Sequence, residues 1–166
     1  MPKINFFNWL LCHNSILTDD RLKKKGFLGP SKCALCLENE ENASHLLIEC
    51  KFTKSIWEEA ISPWGSTITL PNAIVGFFVD WAQLYLGKFP KNKWFKAAWL
   101  AYSKFIFWHI WLERNHKFFQ EKAHNCKLVL SKANDLLKET LGEKFGKLEN
   151  KNLSPQDLAW GSVLGL

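Results

Sequence analysis

The apolar positions of this chain recur at three- and four-residue steps almost throughout, while two-residue alternation is nearly absent. That periodicity predicts helices and few strands. Residues 4–14 carry Ile4, Phe7, Leu10 and Leu11 at helical spacing with Phe6 and Trp9 alongside, a short helix with a crowded apolar face. Thr18 then reads as an N-cap, with Asp19 and Asp20 in the first turn where the helix dipole favours acid, Lys23 to Lys25 in the last, and Gly26 as the stop. Gly29-Pro30-Ser31 reads as a turn. Thr53 is a second candidate cap, for a helix from Lys54 to Ala60 that Pro63 closes and that puts Ile56, Trp57 and Ala60 near one side. Residues 62–70 read as a loop. Asn72 is expected to cap a helix through about Tyr85 that Gly76 weakens and Gly87 ends.

The stretch from Lys91 to about Gln120 reads as one long helix. Trp94, Ala98, Ala101, Phe105, Trp108 and Leu112 follow steps of four and three, and Phe95, Trp99, Tyr102, Ile106 and Ile110 form a second row beside them. A helix apolar on two faces must be buried on both, either at the centre of its domain or against a partner chain. Asn125 is expected to start a last helix to about Leu148, with Val129, Ala133, Leu136, Leu137, Thr140 and Leu141 inward, packed antiparallel on the long one. Residues 149–166 read as a loose tail.

Between the second and third helices the pattern gives way to chemistry. Cys33, Cys36, His45 and Cys50 are spaced Cys-x2-Cys-x8-His-x4-Cys, the four ligands that one tetrahedral zinc ion takes. On an ideal α-helix, at about 100° per residue, His45 and Cys50 would lie roughly 140° apart. Cys50 must therefore sit just past a helix end to converge with His45. With all four positions filled by protein, none is left for a catalytic water, so the expected Zn2+ is structural. The fold class is accordingly mostly α, a zinc-knuckle-containing helical domain with a long aromatic-rich central helix. It divides into a helical zinc-binding part (1–62), a helical bundle (63–148) and the tail.

Composition narrows the partners. The chain has 166 residues, 47% of them apolar, with nine tryptophans and thirteen phenylalanines, which excludes a disordered chain. Five cysteines, three with metal spacing, point to a reducing intracellular compartment, nucleus or cytoplasm, with Cys12 and Cys126 as isolated thiols. Phe6 to Leu11 lacks the basic leader and cleavage site of a secretory signal. Ala97 to Leu112 spans sixteen residues and holds Lys104 and His109, short of the about 20 apolar residues of a membrane span; no membrane partner is expected.

A net charge of +6 permits an acidic partner without demanding one. Glu38, Glu40 and Glu41 in the knuckle spacer make it a poor phosphate binder. The expected nucleic-acid contacts are Arg21, Lys23, Lys24, Lys25 and Lys32, then Lys88, Lys91, Lys93 and Lys96, with Trp94 or Phe95 available to stack on unpaired bases. The alternative is a protein-interaction subunit that uses the apolar helix 91–120 through Trp94, Trp99, Phe105 and Trp108. No enzymatic activity and no small-molecule substrate are expected. Glu113, Arg114 and Asn115 are consecutive and point apart on a helix, so Arg114 or Glu113 is expected to form a buried or interhelical ion pair instead. His109, His116 and His124 have no nucleophile or carboxylate at triad spacing, and no phosphate-cradling glycine loop is present.

These residues resemble the zinc-binding domain found beside the reverse transcriptase of plant LINE-type (non-LTR) retrotransposons. The matching stretch is Phe6-Phe7-Asn8-Trp9, Thr18-Asp19-Asp20-Arg21-Leu22, Cys33 and Cys36, Glu41 before His45-Leu46, Cys50, and Ile56-Trp57; Trp111-Leu112-Glu113-Arg114-Asn115-His116-Lys117-Phe118-Phe119 resembles a Trp-x-Glu-Arg-Asn-x3-Phe segment that often follows. The resemblance implies a plant source and nucleic-acid ancestry. Neither polymerase nor ribonuclease H domain is recognised, so the expectation is a transposon-derived, non-catalytic module, such as a domesticated copy, that prefers RNA or single strands.

Overall fold

A computed structural model describes residues 1–29, 31–62, 69–71, 73–88, 93–120 and 125–145, with side chains described except at 85–95, 120 and 141–145. The architecture is mostly helical: α1 (Pro2–Cys12), α2 (Asp19–Lys24), a π-helical turn (His45–Glu49), α3 (Lys51–Ile61), α4 (Phe77–Lys88), α5 (Lys93–Gln120) and α6 (Cys126–Phe145). Among the described residues there is no strand, only an antiparallel bridge between Lys32 and Glu40.

Helix α5 is the axis, and α1, α4, α6 and the π turn all pack on it. Ala98 and Phe105 of the first row and Trp99, Tyr102, Ile106 and Ile110 of the second are buried by the chain's own elements, while Ala101, Trp108 and Leu112 are half-buried. Helix α1 lays Ile4, Phe7 and Leu11 on α5, with the Phe7 ring 5.4 Å from Trp108 and 5.8 Å from Trp111. Helix α4 is clamped to α5 by two tryptophans whose rings stack at 4.0 Å, each indole N–H donating to the other's carbonyl: Trp81 to Trp99 at 2.8 Å and Trp99 to Trp81 at 2.7 Å. Helix α6 runs antiparallel to α5, since Cys126 lies by Glu113 and Lys132 by His109. Its expected cap holds, with the Leu128 N–H donating to Asn125 Oδ1 at 3.1 Å. One apolar core runs from Ile4 to Leu137 across the expected boundary at residue 62.

Three starts and stops follow from local chemistry. Helix α2 ends at a left-handed Gly26 (φ +85), with the Gly26 N–H donating to Lys23 O and the Phe27 N–H to Leu22 O. This paired closure satisfies the last carbonyls and needs a residue tolerant of positive φ. Helix α3 begins at Lys51, before the expected Lys54: Cys50, not Thr53, stands at its N-cap, and Thr53 is buried, donating to Leu46 O at 2.7 Å. Helix α4 begins later than expected because Gly76 (φ +87) precedes it and its carbonyl accepts from Val79 and Asp80; Gly76 opens the helix that sequence reading had it weaken, and Gly87 lies inside. The expected cap Asn72, the loop 63–68 and the tail 149–166 lie outside the described residues. No helix among the described residues is long and apolar enough to cross a membrane.

Candidate metal centre

The knuckle is built by short-range hydrogen bonds on either side of the first cysteine pair. Cys33 N–H donates to Asn39 O and Glu41 N–H to Ser31 O, closing a small ribbon, while Leu37 N–H donates to Cys33 O across the turn. Leu37 takes a left-handed φ of +61 there. The second pair is delivered by a wider helix. Asn42 caps it, its Oδ1 accepting from the His45 N–H at 2.9 Å, and the Cys50 N–H closes on His45 O at 2.7 Å, an i→i+5 bond. The five-residue mismatch posed by an ideal α-helix is thus resolved by a π turn, which returns residue five to the side of residue zero. Thr53 and the Trp57 indole N–H, the latter at 2.9 Å, donate to the carbonyls of Leu46 and Leu47. Trp57 is thereby fixed beneath the site.

All four ligand atoms lie within 4.8 Å of one another and all four residues are buried. Cys33 Sγ is 3.9 Å from Cys50 Sγ, against about 3.8 Å for the edge of a tetrahedron with zinc–sulfur bonds of about 2.3 Å. Cys36 Sγ is 3.3 Å from His45 Nε2, a little tighter than the about 3.6 Å of a mixed sulfur–nitrogen edge. The donor set, its size and its burial fit a structural zinc ion held by Cys33, Cys36, His45 and Cys50. The sulfurs are prepared for it. The hydrogen bond from Cys33 pushes the Cys50 thiol down to about 5, with the Thr53 and Phe52 amides at the start of α3 acting in the same sense against burial. The same bond, with burial, pushes Cys33 up, so the pair shares a proton that a metal would displace.

Behind the knuckle lies a buried charge cluster. Arg114 of α5, 3% exposed, donates to Glu41, 1% exposed, at 2.7 and 3.0 Å and to Asp19 at 2.8 Å. Glu41 Oε1 also accepts the Asp19 N–H at 3.2 Å. The guanidinium lies over the Phe118 ring at 4.7 Å and the Trp111 ring at 5.4 Å. The expected ion pair of Arg114 is therefore a triad reaching the knuckle spacer and the first turn of α2. Burial, and then the Glu41 charge, raise the Asp19 carboxyl above its ordinary value, with Arg114 opposing. Two of the three spacer glutamates are paired within the chain, Glu41 with Arg114, which it shares with Asp19, and Glu38 in an exposed ion pair with Lys51.

The expected surface residues divide. Lys23, Lys24, Lys25, Lys32 and Lys96 are exposed, and Arg21 is half-buried with its guanidinium on Asn14 O. Lys91 and the side chains of Lys88, Lys93 and Trp94 lie outside the described residues. Of the expected partner-binding residues, Trp99 and Phe105 are taken up by the core and Trp108 is half-buried. Sequence reading missed Phe27 and Phe118. They meet Leu22, Lys23 and Leu28 around a cavity of about 280 Å³, because the end of α5 folds back beside the end of α2.

A buried, saturated Cys3His site on a helical scaffold defines a zinc-stapled domain. Within it, residues 1–57 match the family described as zinc-binding in reverse transcriptase, the same domain that the sequence motifs resemble. Neither the curated proteins nor the solved structures gave a match to the chain.

Proposed function

We propose that this chain is a non-catalytic, transposon-derived module that binds nucleic acid, RNA or single strands in preference to duplex. The observation that carries it is the corner where α2 meets the end of α5. Lys23, Lys24 and Lys25 stand exposed on the closing turn of α2, Lys32 follows on the knuckle ribbon, and Lys117 on α5. Among them are Phe27, 62% exposed, and Phe118, 40% exposed. Clustered cations attract the phosphate backbone without regard to sequence, and aromatic faces between them stack on unpaired bases. The pairing of Glu38 with Lys51 and of Glu41 with Arg114 favours this reading, because it lessens the repulsion expected from the spacer. The match of residues 1–57 to a reverse-transcriptase-associated zinc-binding family agrees with it, as does the resemblance to plant LINE-type elements.

The alternative, a protein-interaction subunit using helix 91–120, has less support, because Trp99 and Phe105 are buried within the chain. A titration of the zinc-loaded chain with a labelled single strand at low and at moderate salt tests the proposal. Affinity should fall by orders of magnitude between the two, and replacing Lys23, Lys24 and Lys25 with alanine should weaken binding and flatten the salt dependence. Absence of binding at low salt would overturn it.

A further inference from the structure

Helix α1 presents a second aromatic surface, on the face turned away from the core. Its inward face is filled by Ile4, Phe7, Asn8 and Leu11. On the opposite face, Phe6 is 61% and Trp9 54% exposed, a large apolar area to leave in water. Their rings are nearly parallel, at 13°, with centroids 6.0 Å apart. The closed stack of Trp81 on Trp99 measures 4.0 Å, so the outer pair is offset, and neither ring hides the other's face. The His13 ring continues the row, 4.3 Å from Trp9 and fixed by Nδ1 on Trp9 O at 2.8 Å.

The electrostatics of this face are one-sided. No carboxylate occurs before Asp19 in the sequence. The row Phe6, Trp9, His13 leads to Asn14, whose carbonyl holds the Arg21 guanidinium, and from there to the lysines of α2. At the other end of α1, Asp135 and Glu139 of α6 border Pro2 to Ile4 together with Lys3 and Lys132, a balanced set that offers an anionic chain no net attraction.

Resting on the nucleic-acid reading above, we infer that Phe6, Trp9 and His13 form a stacking track for the unpaired bases of a single strand whose phosphates run on to Arg21 and Lys23 to Lys25. An amphipathic protein partner would want a hydrophobic groove. Flat exposed rings with no acid on their own helix and a guanidinium at one end of the row fit bases and phosphates instead. Duplex bases are paired and stacked already, so this surface discriminates against duplex.

The test uses the full zinc-loaded chain, a labelled oligothymidine and a hairpin duplex, followed by fluorescence anisotropy. The double variant Phe6→Ala, Trp9→Ala should bind the single strand roughly tenfold or more weakly, at one to two stacked bases lost. Its salt slope should be unchanged, because no phosphate contact is removed, and its duplex binding should be little altered. Trp9→Phe should retain most of the affinity, and circular dichroism should show both variants folded. Wild-type binding that the double variant leaves intact, while lysine replacement weakens it, would overturn the track and leave the proposed function standing. So would a double variant that changes only self-association in sedimentation, which would assign the face to a second copy. No wild-type binding at low salt would overturn both.

Discussion

Arg114 balances two carboxylates with one guanidinium, so the buried triad of Asp19, Glu41 and Arg114 carries a net negative charge. Removing the cation leaves two buried acids side by side, and breaking such a cluster from one side costs about 3–5 kcal/mol. Arg114→Met should therefore be severely destabilised in denaturant melts. Asp19→Asn should behave differently. It leaves Glu41 paired with Arg114 and removes the group whose raised carboxyl burdens the folded state. Because the native Asp19 holds its proton to a higher pH than the unfolded chain does, it stabilises at low pH, and that contribution is lost as pH rises from the ordinary carboxylate value through the raised one. The variant should show a shallower decline of stability across that window. An unchanged profile would show that Asp19 is not the group responsible. Sequence reading reached a buried or interhelical ion pair at Arg114 or Glu113, because the two are consecutive on a helix and point apart. It did not reach Glu41, because a glutamate in a run of three on a knuckle spacer looks like solvated surface.

At the scale of elements, the helices were legible wherever periodicity and a cap agreed. Asn125 and Gly26 did what their side chains dictate. The misplaced starts share a cause, since both depend on the backbone. Cys50 takes the N-cap of α3 because the closing bond of the π turn, from its N–H to His45 O, has already put its backbone there, and Gly76 opens α4 through a positive φ that periodicity cannot register. The aromatic rows of α5 were legible as rows, yet their coverage was not, because α4 supplies the answering face. The reciprocal clamp of Trp81 and Trp99 makes that docking specific. Trp81→Ala removes a fully buried ring and the indole donor to the Trp99 carbonyl, with an expected loss of about 3–5 kcal/mol. Hydrogen exchange should show α4 opening before α5 and α6, and uniform protection of the three helices in the variant would contradict this.

At the scale of the whole molecule, the zinc ligands were fully legible, because their spacing fits within eighteen consecutive residues. The association of the two halves was not, since the contact between Glu41 and Arg114 spans 73 residues of chain. Metal and core are nevertheless one cooperative structure. Zinc binding at such sites contributes on the order of 10 kcal/mol, and α1 and the π turn meet α5 directly. Chelation should cost the helicity of the N-terminal third and expose Trp108 and Trp111, read as a fall in circular dichroism with a red shift in emission. Unchanged dichroism and melting temperature after metal removal would refute a stapling role.

The buried triad also bears on how portable the zinc-binding segment is. The family match ends at residue 57, yet the charge that Asp19 and Glu41 require arrives from residue 114. Transplanted without α5, the segment would carry an uncompensated acidic pair against its own metal site. Its boundary as a heritable motif therefore falls short of its boundary as a physical unit, and an exchange that moved one would have to bring the arginine with it.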